Sequence, residues 1–357
     1  MASREYVQWN AKGVENIPDG EAGDIQTVVG MFEGLHQAMF QMNGHVVSGT
    51  HGRSHGVVRG NFIVPEDLPS HLKQTELFAK AGEYPVVCRY SSSIPDPNVD
   101  DRVPQLRGFT MKLFGVEGEM FEEGREAPTQ DMEFNSIPFL DLADARRAKE
   151  ILSLRLKHGN DIAGLYKDLD ARPDGELIKS QDKVLSTHLE STRQYSQTAY
   201  RFGNYIMKYS LVPSSEMQRK LYEETVQPSD APDVLQHWLR DFHLNHEAEY
   251  EFQVQLCENL DDQPVEDASK VWDEEKYPWQ TVARLVIPKQ DSNNPARKTF
   301  WQDYVVINPW HGLVSLQPLG GSNRLRRVVY PASRAMREKL NKQTPIHLKS
   351  LDDFPGI

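Results

Sequence analysis

The chain has little cysteine, no excess of positive charge and no long apolar run, and each lack removes a class of protein. Cys88 and Cys257 are the two cysteines among 357 residues, too few for a disulfide framework or a four-cysteine metal centre. Cys88 lies in an apolar stretch, which reads as a buried reduced thiol and fits a reducing compartment such as the cytoplasm. Lys and Arg number 40 against 52 Asp and Glu, a formal charge of −12, which argues against nucleic acid or an anionic membrane surface as the main partner. No apolar run approaches the roughly 18 residues that a membrane span requires. Met1 to Gly20 carries acidic residues and no apolar segment, so no signal peptide is expected. The ending Phe354-Pro355-Gly356-Ile357 matches neither an endoplasmic-reticulum retention signal nor a peroxisomal one. Dinucleotide-binding, phosphate-loop and nucleophile-elbow motifs are missing, as are internal repeats.

What is present suits an ordinary globular chain, with 38% hydrophobic and 26% charged residues and length enough for one large core or two smaller ones. Residues 1–22 are polar and read as a loose arm. Ile25, Val28, Val29, Phe32, Leu35, Met39 and Phe40 then recur at helical spacing, with Asp24 as N-cap and Gly44 as stop. That amphipathic helix packs either on its own domain or on a second subunit. Strands are expected at the end of 50–64, over 84–91 and over 107–114, where Phe109, Met111 and Leu113 share a face. An acidic loop from Glu117 to Glu126 precedes Met132-Glu133-Phe134-Asn135-Ser136-Ile137-Pro138, in which a buried Asn135 would at least tie down the turn before the proline. Residues 141–157 read as helix, 159–181 as polar loop and 214–240 as one or two helices. Further strands are expected after His246, at Val282 to Pro288 and at Asp303 to Ile307. Many short strands with the long helices outside them point to an α+β chain built on an antiparallel β-barrel with appended helices.

Three groups of residues carry chemistry. His51 and His55 stand four apart, but Gly52 takes the place where a zinc-protease helix would carry its glutamate, which argues against a metal pair. His237, His243, His246 and Glu247 could form a non-haem metal site, yet they read better as a helix end running into a strand in which Tyr250, Phe252, Val254 and Leu256 alternate. Arg326 and Tyr330 are four apart in Arg326-Arg327-Val328-Val329-Tyr330-Pro331. On a helix they share a face, and a guanidinium beside a phenol favours the phenolate, a ligand suited to ferric iron and known at haem. The same spacing also describes an ordinary amphipathic pair.

The order of motifs resembles the haem catalase family, and more closely its short catalase-related branch of mini-catalase and allene-oxide-synthase-like proteins. The matching stretches are Thr50-His51 through Asn61-Phe62, Arg89-Tyr90-Ser91, Arg107-Gly108-Phe109, Asn135 with Pro138, and Tyr195 through Gly203. They continue with Val265 through Ala268 and Trp272, Ile307 through His311, Pro318-Leu319-Gly320 with Asn323-Arg324, and Arg326, Tyr330 and Arg337. The resemblance implies a catalase-type barrel holding haem b, with Tyr330 as the ligand of its ferric iron and Arg326 keeping that phenol ionised. It implies His51 as distal base, Asn135 as distal hydrogen-bond donor, and Arg89 and Arg337 as partners of the haem propionates. It also implies three regions: an N-terminal arm and helix over 1–44, a haem domain over 45–345 with its proximal helix at about 322–341, and a tail over 346–357. The C-terminal helical domain of full catalases would be lacking.

Ser48 departs from the arginine that catalases carry three residues before the distal histidine. Thr50 stands where catalases have an apolar residue, as in the allene-oxide-synthase-like branch, and its hydroxyl could bond His51. On that reading organic or fatty-acid hydroperoxides, oxidised or rearranged, are preferred over hydrogen peroxide as substrate, and Thr50→Val should raise oxygen release from hydrogen peroxide. The alternatives are a modest catalase and a non-catalytic haem-binding protein. Family analogy also points to a homo-oligomer.

Overall fold

A computed structural model describes residues 4–125 and 127–355; Met1 to Ser3, Glu126 at the end of the acidic loop, and the terminal Gly356-Ile357 lie outside the described residues. Nine strands form one antiparallel sheet: β1 (Arg53–Val64), β2 (Gly82–Ser92), β3 (Arg107–Phe114), β4 (Thr129–Asn135), β5 (Gln194–Tyr195), β6 (Tyr200–Phe202), β7 (Tyr205–Pro213), β8 (Ala248–Leu256) and β9 (Trp279–Ile287). Their order is β5-β4-β3-β2-β1-β9-β8-β7-β6, and a further β5–β7 pairing closes eight of them into a ring with β6 as an appendage of β7. Closure pairs Asn61 with Val286 and Gln194 with Leu211. It leaves no unpaired edge inside the ring.

Period-two alternation decides which side chains fill the barrel and which face out of it. Tyr90, Phe109, Met111, Phe134, Tyr209 and Phe252 point inward and form the main core with Phe62 and Phe78. Phe134 meets Tyr209 edge-on at 5.0 Å between ring centroids, and Phe62 meets Phe252 in the same way at 5.1 Å. The neighbours one residue away, Arg89, Thr110, Glu133 and Asn135, therefore lie on the outer wall.

Helices cover that wall: α1 (Glu21–Asn43), α2 (Ala145–His158), α3 (Ile162–Asp170), α4 (Gly175–Lys179), α5 (Glu216–Lys220), α6 (Val234–Asn245), α7 (Pro295–Tyr304) and α8 (Gly321–Asn341). Within the chain, Val28 of α1 packs with Ala148 of α2 and Val329 of α8. Gly44 ends α1 at φ 68°, as expected, but the helix starts at Glu21 rather than after Asp24, which sits inside its first turn. The arm before it is not loose. The Val7 and Trp9 amides donate to Cys257 O and Asn204 O at 2.8 and 2.9 Å, and Val14 is buried. Arg324 on α8 ties arm and helix down together, with Glu15, Glu21 and Glu266 all within 2.9 Å of its guanidinium.

Two other expectations fail. The supposed loop at 159–181 contains α3 and α4, because Leu165, Leu169 and Ile178 bury themselves against Ile151 of α2, and the Asp161 side chain caps α3. The supposed strand at Asp303 to Ile307 is instead the end of α7 and a single bridge from Val305 to Ile346. There Asn294 caps the helix and Pro295 opens it, while Trp301 packs against Phe354.

Candidate functional site

One cavity of about 830 Å³ lies between the outer barrel wall and helices α1, α2 and α8, within the range of roughly 300–1,000 Å³ typical of small-molecule sites. Thr50, His51, Arg89, Asn135, Arg326, Tyr330 and Arg337 all line it. The strand residues reach it through outward parity. On α8, residues 326, 330, 333, 334 and 337 form one stripe with helical spacing.

His51 has φ 53°, left-handed backbone that histidine tolerates better than most residues. The turn is held by His51 N–H donating to Ser93 O at 3.0 Å. Two glycines allow it. A Cβ on Gly52 would stand 1.9 Å from Pro95 O, and one on Gly108 would stand 2.4 Å from His51 Cε1. The imidazole thus occupies the space that a side chain at Gly108 would fill. Its Nδ1 lies 3.0 Å from Ser91 Oγ, and the Ser91 hydroxyl donates to Gly108 O at 3.4 Å. With the Ser91 hydroxyl given to Gly108 O, Nδ1 donates to Ser91 and Nε2 is left as the unprotonated nitrogen. Desolvation, then the charges of Arg89 and Arg326, pull the His51 pKa down to about 3, so the ring is a neutral base at ordinary pH.

Asn135 accepts the Ser136 N–H on Oδ1 at 3.1 Å, which ties the turn as expected and leaves Nδ2 as the donor for a ligand. Arg89 donates through Nη2 to His51 O at 2.6 Å, and Arg337 through Nη2 to Gln302 O at 2.8 Å. The Nε atoms of both are buried without a partner. Burial first, then Arg337 for Arg89 and Arg334 for Arg337, lowers each guanidinium to about 10. Two guanidiniums close enough for Arg337 to depress Arg89 suit a dianionic ligand.

The Tyr330 hydroxyl donates to Glu133 Oε2 at 2.6 Å, while Arg326 Nη1 lies 3.4 Å from Asn323 Oδ1. Burial and the Glu133 charge raise the phenol well above its ordinary value, and Arg326 only partly opposes them. Glu133 was not singled out from the sequence, although its spacing of two from Asn135 puts both on one face of β4. Ser91 was passed over in the same way, two residues after Arg89. Thr50 is solvent-exposed and leaves the imidazole to Ser91; its hydroxyl forms no hydrogen bond with His51.

The second histidine group does not gather. His237 is exposed beside Asp233, whereas His243 is fully buried with Nε2 2.9 Å from Glu190 Oε1. Among the described residues, no group of three or more His, Cys, Asp or Glu is placed to hold a metal ion, and no helix is long and apolar enough to cross a membrane.

Several histidines away from this group are also kept neutral by burial. His36 and His188 fall to about 4, and His55 lies well below its ordinary value. In the unfolded chain all of them, with His51, titrate near ~6.5. Below that pH the unfolded state binds more protons, so each contributes a loss of stability that begins near ~6.5 and deepens until its folded pKa is reached. The protein is expected to take up close to four protons from these groups on unfolding at pH 5, and its melting temperature to fall steadily between pH 7 and 5. Calorimetry across that range checks this, and a flat melting temperature contradicts it.

No family model matches the chain. Among curated proteins it is similar to catalase isozyme 1 of Nicotiana tabacum, at 23% identity over 274 residues that cover 71% of this chain and 52% of that protein. A fungal catalase superposes with a TM-score of 0.64 at 14% identity, over 90% of this chain and 66% of that one. Catalase A from Saccharomyces cerevisiae gives 0.63 at 16% identity, over 84% and 63%. A bacterial catalase gives 0.62 at 15%, over 96% and 66%. The chain spans about half the length of the curated relative it matches, and its fold is the catalase-type barrel with appended helices.

Proposed function

We propose that this chain, a relative of the catalases in sequence and in fold, is a haem-dependent enzyme acting on peroxides, with organic hydroperoxides as the favoured substrates. The observation that carries the reading is the convergence of His51, Asn135, Tyr330 and two anion-seeking arginines on one cavity. Haem b, when bound, supplies an iron at which the O–O bond of a peroxide is broken.

The chain's own residues supply the rest. Tyr330 would supply the phenol oxygen that holds the iron, and Glu133 Oε2, which accepts a hydrogen bond from that hydroxyl, would take up its proton. Arg89 and Arg337 would hold the two propionates. His51 Nε2 takes the proton from one peroxide oxygen and returns it to the other as that oxygen departs. Ser91 fixes the imidazole for both transfers. Asn135 Nδ2 donates to the peroxide without offering an acid.

With Thr50 withdrawn from His51, the preference for bulky hydroperoxides rests on the size and aliphatic lining of the cavity. The free His51 Nε2 favours the second reading, dismutation of hydrogen peroxide. Haem-loaded protein, followed for oxygen release from hydrogen peroxide and for loss of the conjugated-diene absorbance of a fatty-acid hydroperoxide, separates the two. Diene loss with little oxygen is expected; fast oxygen release with little diene loss would make the protein a small catalase. Thr50→Val is expected to change either rate by no more than about twofold, the scale of an exposed substitution. A large rise in oxygen release would restore the hydroxyl to the mechanism.

A further inference from the structure

The cavity extends past the catalytic group into a chamber walled by α2, α3 and α4, whose lining includes Leu142, Leu152, Leu156, Ile162, Leu165 and Ile178. These six side chains give the wall an aliphatic patch. Leu156 and Ile162 are 53% and 55% exposed, so the chamber is open to solvent between the end of α2 and the start of α3. A substrate the size of hydrogen peroxide has no use for such a surface, whereas an aliphatic chain gains roughly 0.8 kcal/mol for each methylene it buries there.

Polar groups at the same end define what that chain carries. Arg155 is paired with Asp141, Nη2 to Oδ2 at 2.8 Å, and Asp182 accepts the Tyr166 hydroxyl at 2.6 Å. Asp141 already neutralises the guanidinium, and Asp182 adds a second carboxylate to the lining of this end. Gln181 lines the chamber beside them, and its amide nitrogen is buried without a hydrogen-bond partner. A free carboxylate placed here would meet net negative charge. A neutral carbonyl oxygen would meet an unused donor.

We propose that this chamber is an acyl subsite for esterified hydroperoxides, holding the aliphatic chain against α2 and α3 with the ester carbonyl on Gln181. The proposal rests on the peroxide reading above, and it selects lipid esters over free fatty acids within that reading.

Equilibrium dialysis of haem-loaded protein with methyl dodecanoate and with dodecanoic acid tests it, because neither probe carries a peroxide and no turnover is needed. The ester is expected to bind at least about tenfold more tightly than the acid. Gln181→Leu should weaken ester binding about fivefold, the scale of one neutral hydrogen bond. Ile162→Asp, at an exposed position where folding is safe, should weaken it further. Equal or tighter binding of the acid, absence of ester binding, or indifference to both substitutions would overturn the proposal. A protein without peroxide activity could still bind the ester, and an active one could fail to, so the two readings fall separately.

Discussion

Tyr330→Phe is expected to abolish stable binding of ferric haem, or to replace the absorbance spectrum of the loaded protein with that of loosely held cofactor. The substitution removes one oxygen and leaves the ring, so the cavity keeps its shape while losing the only phenol on the α8 stripe. A second effect appears without cofactor. Glu133 loses the hydroxyl that donates to it at 2.6 Å, and a partly buried carboxylate stripped of its donor should cost about 1 kcal/mol of stability. A haem titration and a denaturant melt of the same variant read both effects. An unchanged spectrum would remove Tyr330 as a ligand of the iron.

His51→Asn is expected to lower turnover by about 10²–10⁴-fold, the usual worth of a positioned proton carrier, with haem content and spectrum retained. Asparagine is the informative replacement because it also tolerates the left-handed backbone at φ 53°, and so the turn through Gly52 and the bond from Arg89 to His51 O are kept. Its amide cannot take up a proton at working pH. Rates on a hydroperoxide, normalised to haem absorbance, decide the matter, and a variant that retained most of its turnover would show that the proton travels another way.

Where a pattern repeats within one element, the chain declares its structure openly. Strand β3 runs over the expected 107–114, and α8 begins at Gly321 against an expected start near residue 322. Short helices are harder to read. Ile162, Leu165 and Leu169 have helical spacing, but the surrounding Asp, Gly and Pro residues drown it, and tertiary burial against Ile151 completes α3. At α7 the capping Asn294 and Pro295 were the stronger signal, and the apolar residues after Asp303 were misread as a strand. The site is a different case. His51 and Arg337 are 337 minus 51, or 286, residues apart, and no spacing rule joins them; only the order of motifs did. That order says which residues meet and not which rotamers they choose. The choice of Ser91 over Thr50 by His51, and of Glu133 over Arg326 by the Tyr330 hydroxyl, depends on packing around the finished cavity.

The β1–β9 pairing has a consequence in time. Asn61 faces Val286 across it, so the strand that follows His51 leaves the ribosome 286 minus 61, or 225, residues before the strand that seals its open side. At roughly 5–20 residues per second, that edge waits about 11–45 seconds for its partner. Tyr330 emerges later still. The strand that follows His51 is therefore synthesised early and the α8 stripe with Tyr330 comes last, so the cavity has no complete wall until the end of α8 has been made.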